Sequence, residues 1–230
     1  MSFLNRFTYL ILIVLFFNTS SSAHVEHYSQ LKNITFEIYR NNKHIGYHTF
    51  DFDKFPNKKE IHVTSEINFE IKKLGIVLYK YFAEGTEVFK EGELIKFNSK
   101  TDQNGKKKYV NINLEDNKLI IDGSSFKGKT SNEHMLGTWW NHSLVKAPAQ
   151  ISAVSGRIIH QKVDFLGKET IKIGKKKFKT LHFKFSSTDN KLDKDKKLNT
   201  HVWYDEDTLN WVKAAFDKKG KWEYRLLHIK

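Results

Sequence analysis

Short runs in which apolar residues take alternate positions cover most of this chain, and they constrain its fold more than any other feature. They occur at 34–38, 61–71, 110–114, 181–185, 212–216 and 222–226. A period of two residues places apolar side chains on one face of a β-strand, whereas an amphipathic helix needs a period near 3.6. The alternation therefore predicts a protein built mainly from antiparallel strands.

Turn signals separate these runs at short intervals. They are Asn41-Asn42, Asn104-Gly105, Asp116-Asn117, Gly174-Lys175 and Asp217–Gly220. Asn and Gly tolerate the positive φ that tight hairpins need, so consecutive strands should pair as neighbours. We expect about ten to twelve strands in a meander that forms an open or half barrel or a strongly curved sheet. One domain is favoured, and a two-lobed sheet is the alternative.

One segment lacks the alternating pattern and predicts the single helix of the chain, from about 131 to 144. Thr130 and Glu133 have the spacing of a capping box. The apolar residues that follow, Met135, Leu136, Trp139, Trp140 and Leu144, are spaced for one stripe of a helix. We expect this helix to pack on the sheet as a plug or lid.

The N-terminus has the features of a secretory signal peptide, residues 1–23. Arg6 precedes an apolar run at 7–17, and small residues precede the expected cleavage site after Ala23. The run is shorter than the roughly 20 residues that a helix needs to cross a bilayer. We expect an exported protein in which residues 24–230 form one antiparallel β domain. An uncleaved N-terminal anchor is the alternative.

The chain is basic, with 39 Lys and Arg against 26 Asp and Glu and a formal net charge of +13. Nearly all of the basic residues are lysine, whereas specific nucleic-acid sites favour the bidentate arginine fork. An exported protein also rarely meets nucleic acid. We therefore predict no nucleic-acid partner and interpret the lysines as a solvated surface. Weak attraction to an anionic membrane surface is the functional alternative.

Several classes of enzyme are disfavoured by missing residues and motifs. The chain has no cysteine, which excludes disulfides, thiolate metal sites and a thiol nucleophile. The nucleophile elbow of hydrolases, the glycine-rich phosphate loop and the His-Glu-x-x-His zinc motif are also absent. We predict no catalytic residues and no cofactor.

The 11 histidines leave a metal site as the remaining catalytic possibility. His44 and His48 are predicted to share a strand face at roughly 13 Å, too far apart for one ion. His182 and His201 are expected to pair across adjacent strands, with Asp205 nearby. We favour surface or cross-strand histidines over a histidine-and-acid site, and predict no metal.

Large aromatic residues are concentrated in the C-terminal half, where they supply apolar surface together with a polar N–H or O–H group. In a barrel or half-barrel such side chains can line a cavity for a lipid-like or apolar ligand. The predicted ligand-lining residues are Met135, Trp139, Trp140, Trp203 and Trp222. The alternative is that they fill the core of a curved sheet.

The order of several short motifs resembles a known family. The motifs are Thr138–Asn141, Ser155-Gly156, Val202–Asp205, Trp211–Lys213, Phe216 and Gly220. Together with the region around Asn42 and Gly46-Tyr47, they resemble an exported proteobacterial family, domain of unknown function 6134. The Trp-Tyr-Asp and Trp-Val-Lys strands are also similar to the exported family of unknown function 3108.

Both families look akin to open-barrel envelope proteins that carry lipids or lipoproteins. The resemblance implies a Gram-negative periplasm and brings no catalytic residues. We therefore favour a non-enzymatic periplasmic protein that binds or carries an apolar or amphipathic ligand. A structural or interaction protein of the envelope, without a ligand cavity, is the alternative, followed by a metal-dependent or hydrolytic enzyme.

Overall fold

The computed structural model describes residues 28–193 and 196–230. The predicted signal peptide, 1–23, lies outside these residues. Within them, helices are confined to short 3₁₀ turns at Tyr28–Gln30, Pro56–Lys58 and His142–Lys146. None of the helices in these residues is long and apolar enough to span a bilayer.

In the described part of the chain, fifteen strands form one continuous sheet. They are β1 (Asn33–Arg40), β2 (Lys43–Phe55), β3 (Glu60–Lys73), β4 (Ile76–Lys90), β5 (Glu93–Gln103), β6 (Lys106–Glu115), β7 (Lys118–Gly123), β8 (Lys127–Ser131), β9 (Met135–Leu136), β10 (Ala149–Ile151), β11 (Ile158–Ile173), β12 (Lys176–Ser187), β13 (Asn199–Asp205), β14 (Trp211–Asp217) and β15 (Lys221–Ile229). The count exceeds the predicted ten to twelve because the edge strands β8 to β10 are short and carry little alternation.

The strand order is β8-β7-β6-β5-β4-β3-β2-β1-β15-β14-β13-β12-β11-β10-β9. The first and last strands of the chain therefore pair in the middle of the sheet. Its two edges, β8 and β9, are separated by only three residues of sequence. Only the β9–β10 pair is parallel among the described strands. The prediction of a mainly antiparallel, curved and unclosed sheet is confirmed.

The period-two pattern packs the concave face of this sheet. Ile34, Phe36 and Ile38 of β1 are all fully buried, as the alternation predicts. The larger apolar cluster draws on β1 to β4 and β12 to β15, and a smaller cluster lies under β5 to β7. Burial of these side chains is the main driving force for curling the sheet.

The predicted helix at 131–144 is wrong. Its first residues belong to β8, two residues form β9, and the only helical turn is the 3₁₀ turn at its end. The Ser131 hydroxyl accepts the amide of Glu133 at 3.1 Å, and the Thr130 hydroxyl bonds His134 at 2.7 Å. These local side-chain bonds replace the expected capping box and favour a turn over a helix.

The same segment continues as an extended strap, which we define as residues 132–157. Gly137 lies so close to the side chain of Gln150 that a Cβ at position 137 would be 2.5 Å from Gln150 Oε1. Trp139 has a left-handed backbone with φ of 59°. Its indole and that of Trp140 pack against different parts of the core, which one helical stripe would not allow. Tertiary packing therefore overrides the helical pattern.

Hydrogen bonds fasten the strap to the sheet. Gln161 of β11 donates its amide to the carbonyls of Leu144 and Ala147, at 3.1 and 2.8 Å. Its own carbonyl accepts from Gln150 at 2.7 Å. At the other end, the Ser99 hydroxyl of β5 donates to the carbonyl of Ala153 at 2.5 Å. The strap is thus held against the concave face from both sides.

Candidate functional site

A cavity of about 270 Å³ lies between the concave face of the sheet and the strap, and we call it the strap cavity. The sheet contributes Ser65, Ile67, Tyr81, Ala83, Gly85, Phe97, Ser99 and Thr101, and the strap contributes Gly137, Thr138, Trp139, Gln150 and Ser152–Val154. His48, Glu84, Ile159 and Tyr224 complete the lining. Its walls are mostly apolar or aromatic, with a few hydroxyl and amide groups.

Small residues in the inward register of β4 create the space. Ala83 and Gly85 occupy positions whose neighbours in the same register, Tyr81 and Glu87, have large side chains. A Cβ at Gly85 would lie 3.1 Å from the ring of Phe97, so even this wall is closely packed. The cavity therefore follows from the sequence of β4 and from the path of the strap.

Trp139 forms one wall of the strap cavity in an unusual conformation. A left-handed backbone at a bulky residue costs on the order of 1–3 kcal/mol. Tyr204 holds this backbone by donating its hydroxyl to the Trp139 carbonyl at 3.0 Å. The indole packs edge-on against Trp211 and Tyr224, with centroids 5.5 and 5.8 Å away. Its buried N–H has no hydrogen-bond partner in the described part of the chain.

His48 also lines the strap cavity with an unpartnered nitrogen, Nδ1, as far as the described residues show. Its ring lies 4.2 Å from that of Phe50, and burial lowers its pKa to about 3. The imidazole is therefore neutral at physiological pH. The predicted shared face with His44 is wrong, because a β-bulge at Ile45 breaks the alternation and leaves His44 exposed.

Glu87 is a buried carboxylate that the sequence analysis did not identify. Trp140 donates its indole N–H to Glu87 Oε1 at 2.9 Å, and Thr138 also hydrogen-bonds the carboxylate. Burial raises the pKa of Glu87 to about 7, against the opposing effect of these hydrogen bonds. Its position in the inward register of β4 is the sequence signal that marks it.

A second cavity of about 790 Å³ lies on the other side of Thr138, which lines both spaces. Glu87 and Met135 line this second cavity. Thr138 therefore forms a polar partition between the two cavities, and the Trp140–Glu87 hydrogen bond lies beside it.

The five predicted ligand-lining residues lie in different places. Trp139 lines the strap cavity and Met135 lines the second cavity. Trp140 is fully buried in the core and lines neither cavity. Trp203 lies on the outer face of the sheet, and Trp222 stacks on another aromatic ring at the start of β15. Three of the five thus belong to the strap, but only Trp139 lines the strap cavity, and Trp140, Trp203 and Trp222 line neither cavity.

The outer face carries the predicted histidine pair. His182 Nε2 lies 2.8 Å from His201 Nδ1, so the cross-strand pairing is confirmed. Glu169 is 2.8 Å from the other nitrogen of His182 and accepts the Trp203 indole N–H at 2.7 Å. Asp205 instead closes the turn after β13. Residues 28–193 and 196–230 contain no group of three acids or histidines suited to a metal ion.

Comparisons with known proteins agree with this fold. The sequence matches the family described as Domain of unknown function (DUF6134) over residues 36–227, which confirms the resemblance seen in the sequence. The β-barrel-like protein of domain of unknown function DUF1849 from Brucella abortus is similar in structure, with a TM-score of 0.60 at 10% identity. That likeness covers 87% of this chain and 98% of the Brucella chain, and it shows the fold alone.

A protein with a YmcC-like fold from Bacteroides fragilis aligns with a TM-score of 0.36 at 11% identity. The alignment covers 86% of this chain and 94% of the other, but so low a TM-score carries no argument. A comparison with curated proteins finds no match.

Proposed function

This chain belongs to the family Domain of unknown function (DUF6134), and we propose that it is a non-enzymatic binding or carrier protein of the periplasm. Its ligand is a small apolar or amphipathic molecule that occupies the strap cavity. The signal-peptide pattern of residues 1–23 supports export, and the open β-barrel-like fold provides an interior in which such a molecule is shielded from water.

The conformation of Trp139 is the observation that carries this proposal. The backbone is held in a costly left-handed region, and the strain places a large indole against the strap cavity. Strain of this kind persists where surrounding structure over-determines it, often at ligand-binding sites. The unpartnered indole N–H also costs about 1–3 kcal/mol, and a ligand acceptor that reaches it would recover that cost.

The chemistry of the lining limits the ligand. The indole N–H of Trp139 is a donor only, so it selects an acceptor such as a carbonyl or ester oxygen. His48 is neutral, and the one charged residue of the lining, Glu84, is exposed to solvent. Nothing buried in the wall therefore compensates a ligand charge, and an uncharged polar group on an apolar body fits best. The volume is near the lower end of small-molecule sites, about 300–1,000 Å³.

Uptake from a lipid extract tests this assignment. The wild-type protein and Trp139→Phe are incubated with the organic extract of the host envelope and weighed by native mass spectrometry. Trp139→Phe keeps an aromatic ring but removes the N–H, so its melting temperature should stay within a few degrees of the wild type. The fraction of protein that carries a bound molecule should fall at least several-fold. Trp203→Phe, the same change on the outer face, should bind normally.

Equal uptake by Trp139→Phe and the wild type would remove Trp139 from the ligand site. Loss of thermal stability without loss of uptake would likewise assign this residue a purely structural role.

A further inference from the structure

The hairpin between β3 and β4 projects beyond its neighbours in the sheet. The pairing of β2 with β3 ends at Gly46 and Phe69, and that of β4 with β5 ends at Tyr81 and Gln103. Residues 70–80 therefore form a two-stranded ribbon flanked by no other strand, which we call the finger. Four residues of a strand at about 3.3 Å each give it a reach of about 13 Å.

The end of the finger is apolar and faces water. The exposed fractions are 93% for Leu74, 67% for Ile76, 55% for Leu78 and 38% for Val77. Single exposed apolar residues are common on protein surfaces, but a contiguous group marks an interaction site. Ile76 and Val77 are consecutive in a strand and point to opposite faces of the ribbon. The tip is therefore apolar on both faces.

The turn itself departs from the pattern of the other hairpins. Leu74 has a φ of 51° in the first of two left-handed positions, before Gly75 at 80°. In the corresponding turns the chain uses polar residues at this position: Asn41, Glu91, Asn104 and Asp116. Leucine is disfavoured there, whereas asparagine adopts this conformation readily. Turn geometry therefore does not explain the leucine, and its exposed side chain points to a partner.

Lysines surround the apolar tip. Lys72, Lys73 and Lys80 lie on the finger with one acid, Glu70, which pairs with Lys72 and Lys80 at 2.8 and 3.0 Å. The finger is therefore net positive, on a chain whose formal net charge is +13. Apolar residues at a tip and lysines behind it match the order of acyl chains and anionic headgroups in a bilayer.

We propose that the finger docks this protein on an anionic phospholipid bilayer, with the side chains of 74–78 entering the headgroup–acyl boundary. The lysines behind the tip then lie at the level of the phosphates, where their long stems keep the ammonium groups hydrated. A bilayer fits better than a protein groove because immersion covers both faces of the ribbon, whereas a groove covers one. The inference is independent of the strap cavity and of its ligand.

Vesicle partitioning tests the docking with a substitution that suits the turn. Leu74→Asn introduces the residue that two of the other turns have at this position, Asn41 and Asn104, so the melting temperature should not fall. Partitioning onto phosphatidylglycerol–phosphatidylcholine vesicles should weaken roughly tenfold, because one fully exposed leucine no longer enters the bilayer. Leu166→Asn, a matched change at a leucine 50% exposed on β11, should partition as the wild type does. Equal partitioning of Leu74→Asn and wild type would overturn the proposal.

A single label distinguishes insertion from adsorption. The chain has no cysteine, so Ile76→Cys and Leu166→Cys each offer one site for an environment-sensitive nitrobenzoxadiazole dye. With the same vesicles, the dye at position 76 should brighten and shift to the blue, and the dye at position 166 should not. No change at position 76, or an equal change at both positions, would contradict docking through the finger.

Discussion

Trp140 donates its indole N–H to the carboxylate of Glu87 over 2.9 Å, and both side chains are buried. The bond joins the strap to β4 beside the partition between the two cavities. Around it, the rings of Tyr28, Phe52 and Phe89 meet Trp140 edge-on at 5.2–5.6 Å. This contact anchors the strap and thereby fixes the neighbouring Trp139 at the wall of the strap cavity.

Removal of the indole N–H should destabilise the protein, and the smaller ring of Phe adds a cavity cost that does not depend on pH. Trp140→Phe retains an aromatic ring but leaves the Glu87 carboxylate with fewer donors, which costs about 1–3 kcal/mol. The loss should be larger at pH 8, where Glu87 is ionised, than at pH 5, and urea unfolding at the two pH values measures it. Trp203→Phe removes a similar bond to the half-exposed Glu169 and should cost less. An equal loss at both pH values would show that Glu87 does not depend on this bond.

The buried acid should make stability depend on pH. The pKa of Glu87 rises from an ordinary 4.5 to about 7, so the folded chain holds a proton that the unfolded chain releases. Its contribution to stability is fully present below pH 4.5 and is lost as the pH rises to 7, by on the order of 3 kcal/mol. The difference in unfolding free energy between wild type and Glu87→Gln should therefore fall over this window. A constant difference would mean that Glu87 titrates normally.

His48 should act in the opposite direction. Burial lowers the pKa of His48 from 6.5 to about 3. Between these two pH values the unfolded chain therefore binds a proton that the folded chain does not bind. The contribution of His48 is present above pH 6.5 and is lost as the pH falls toward 3. The unfolding free energy of the wild type relative to that of His48→Phe should fall as the pH falls across that range, measured by urea unfolding at closely spaced pH values. A difference that does not change with pH would mean that the folded protein binds this proton as readily as the unfolded chain does.

The sheet is largely predictable from the sequence because burial on one face imposes a local period of two. Ile34, Phe36 and Ile38 are buried as the alternation requires, and Asn41-Asn42 forms the expected turn. The pairing of His182 with His201 also follows from adjacent strands. These features depend on neighbours that hairpin connections bring together.

The strap and its cavity were not predictable in the same way. The spacing of Trp139 and Trp140 fits a helix, and only contacts with distant strands decide the extended path. The bulge at Ile45, which turns His48 inward and His44 outward, has one local signal that the sequence analysis did not use, the glycine at position 46 inside the strand. Glu87 was detectable, since an acid stands between Gly85 and Phe89 in an inward-facing register. Long-range packing therefore determines the site, whereas local pattern determines the sheet.

Blocking the strap cavity tests the central claim most directly. The leucine side chain of Ala83→Leu would project into the space beneath Trp139 and should leave the melting temperature unchanged or raise it, since filling an apolar space is stabilising.

The decisive measurement is native mass spectrometry of the wild type and Ala83→Leu, each isolated gently from the host envelope. We predict an added mass on the wild type that organic extraction removes, and the bare mass for folded Ala83→Leu. A bare wild type that takes up nothing from a lipid extract, or the same added mass on both proteins, would contradict the account.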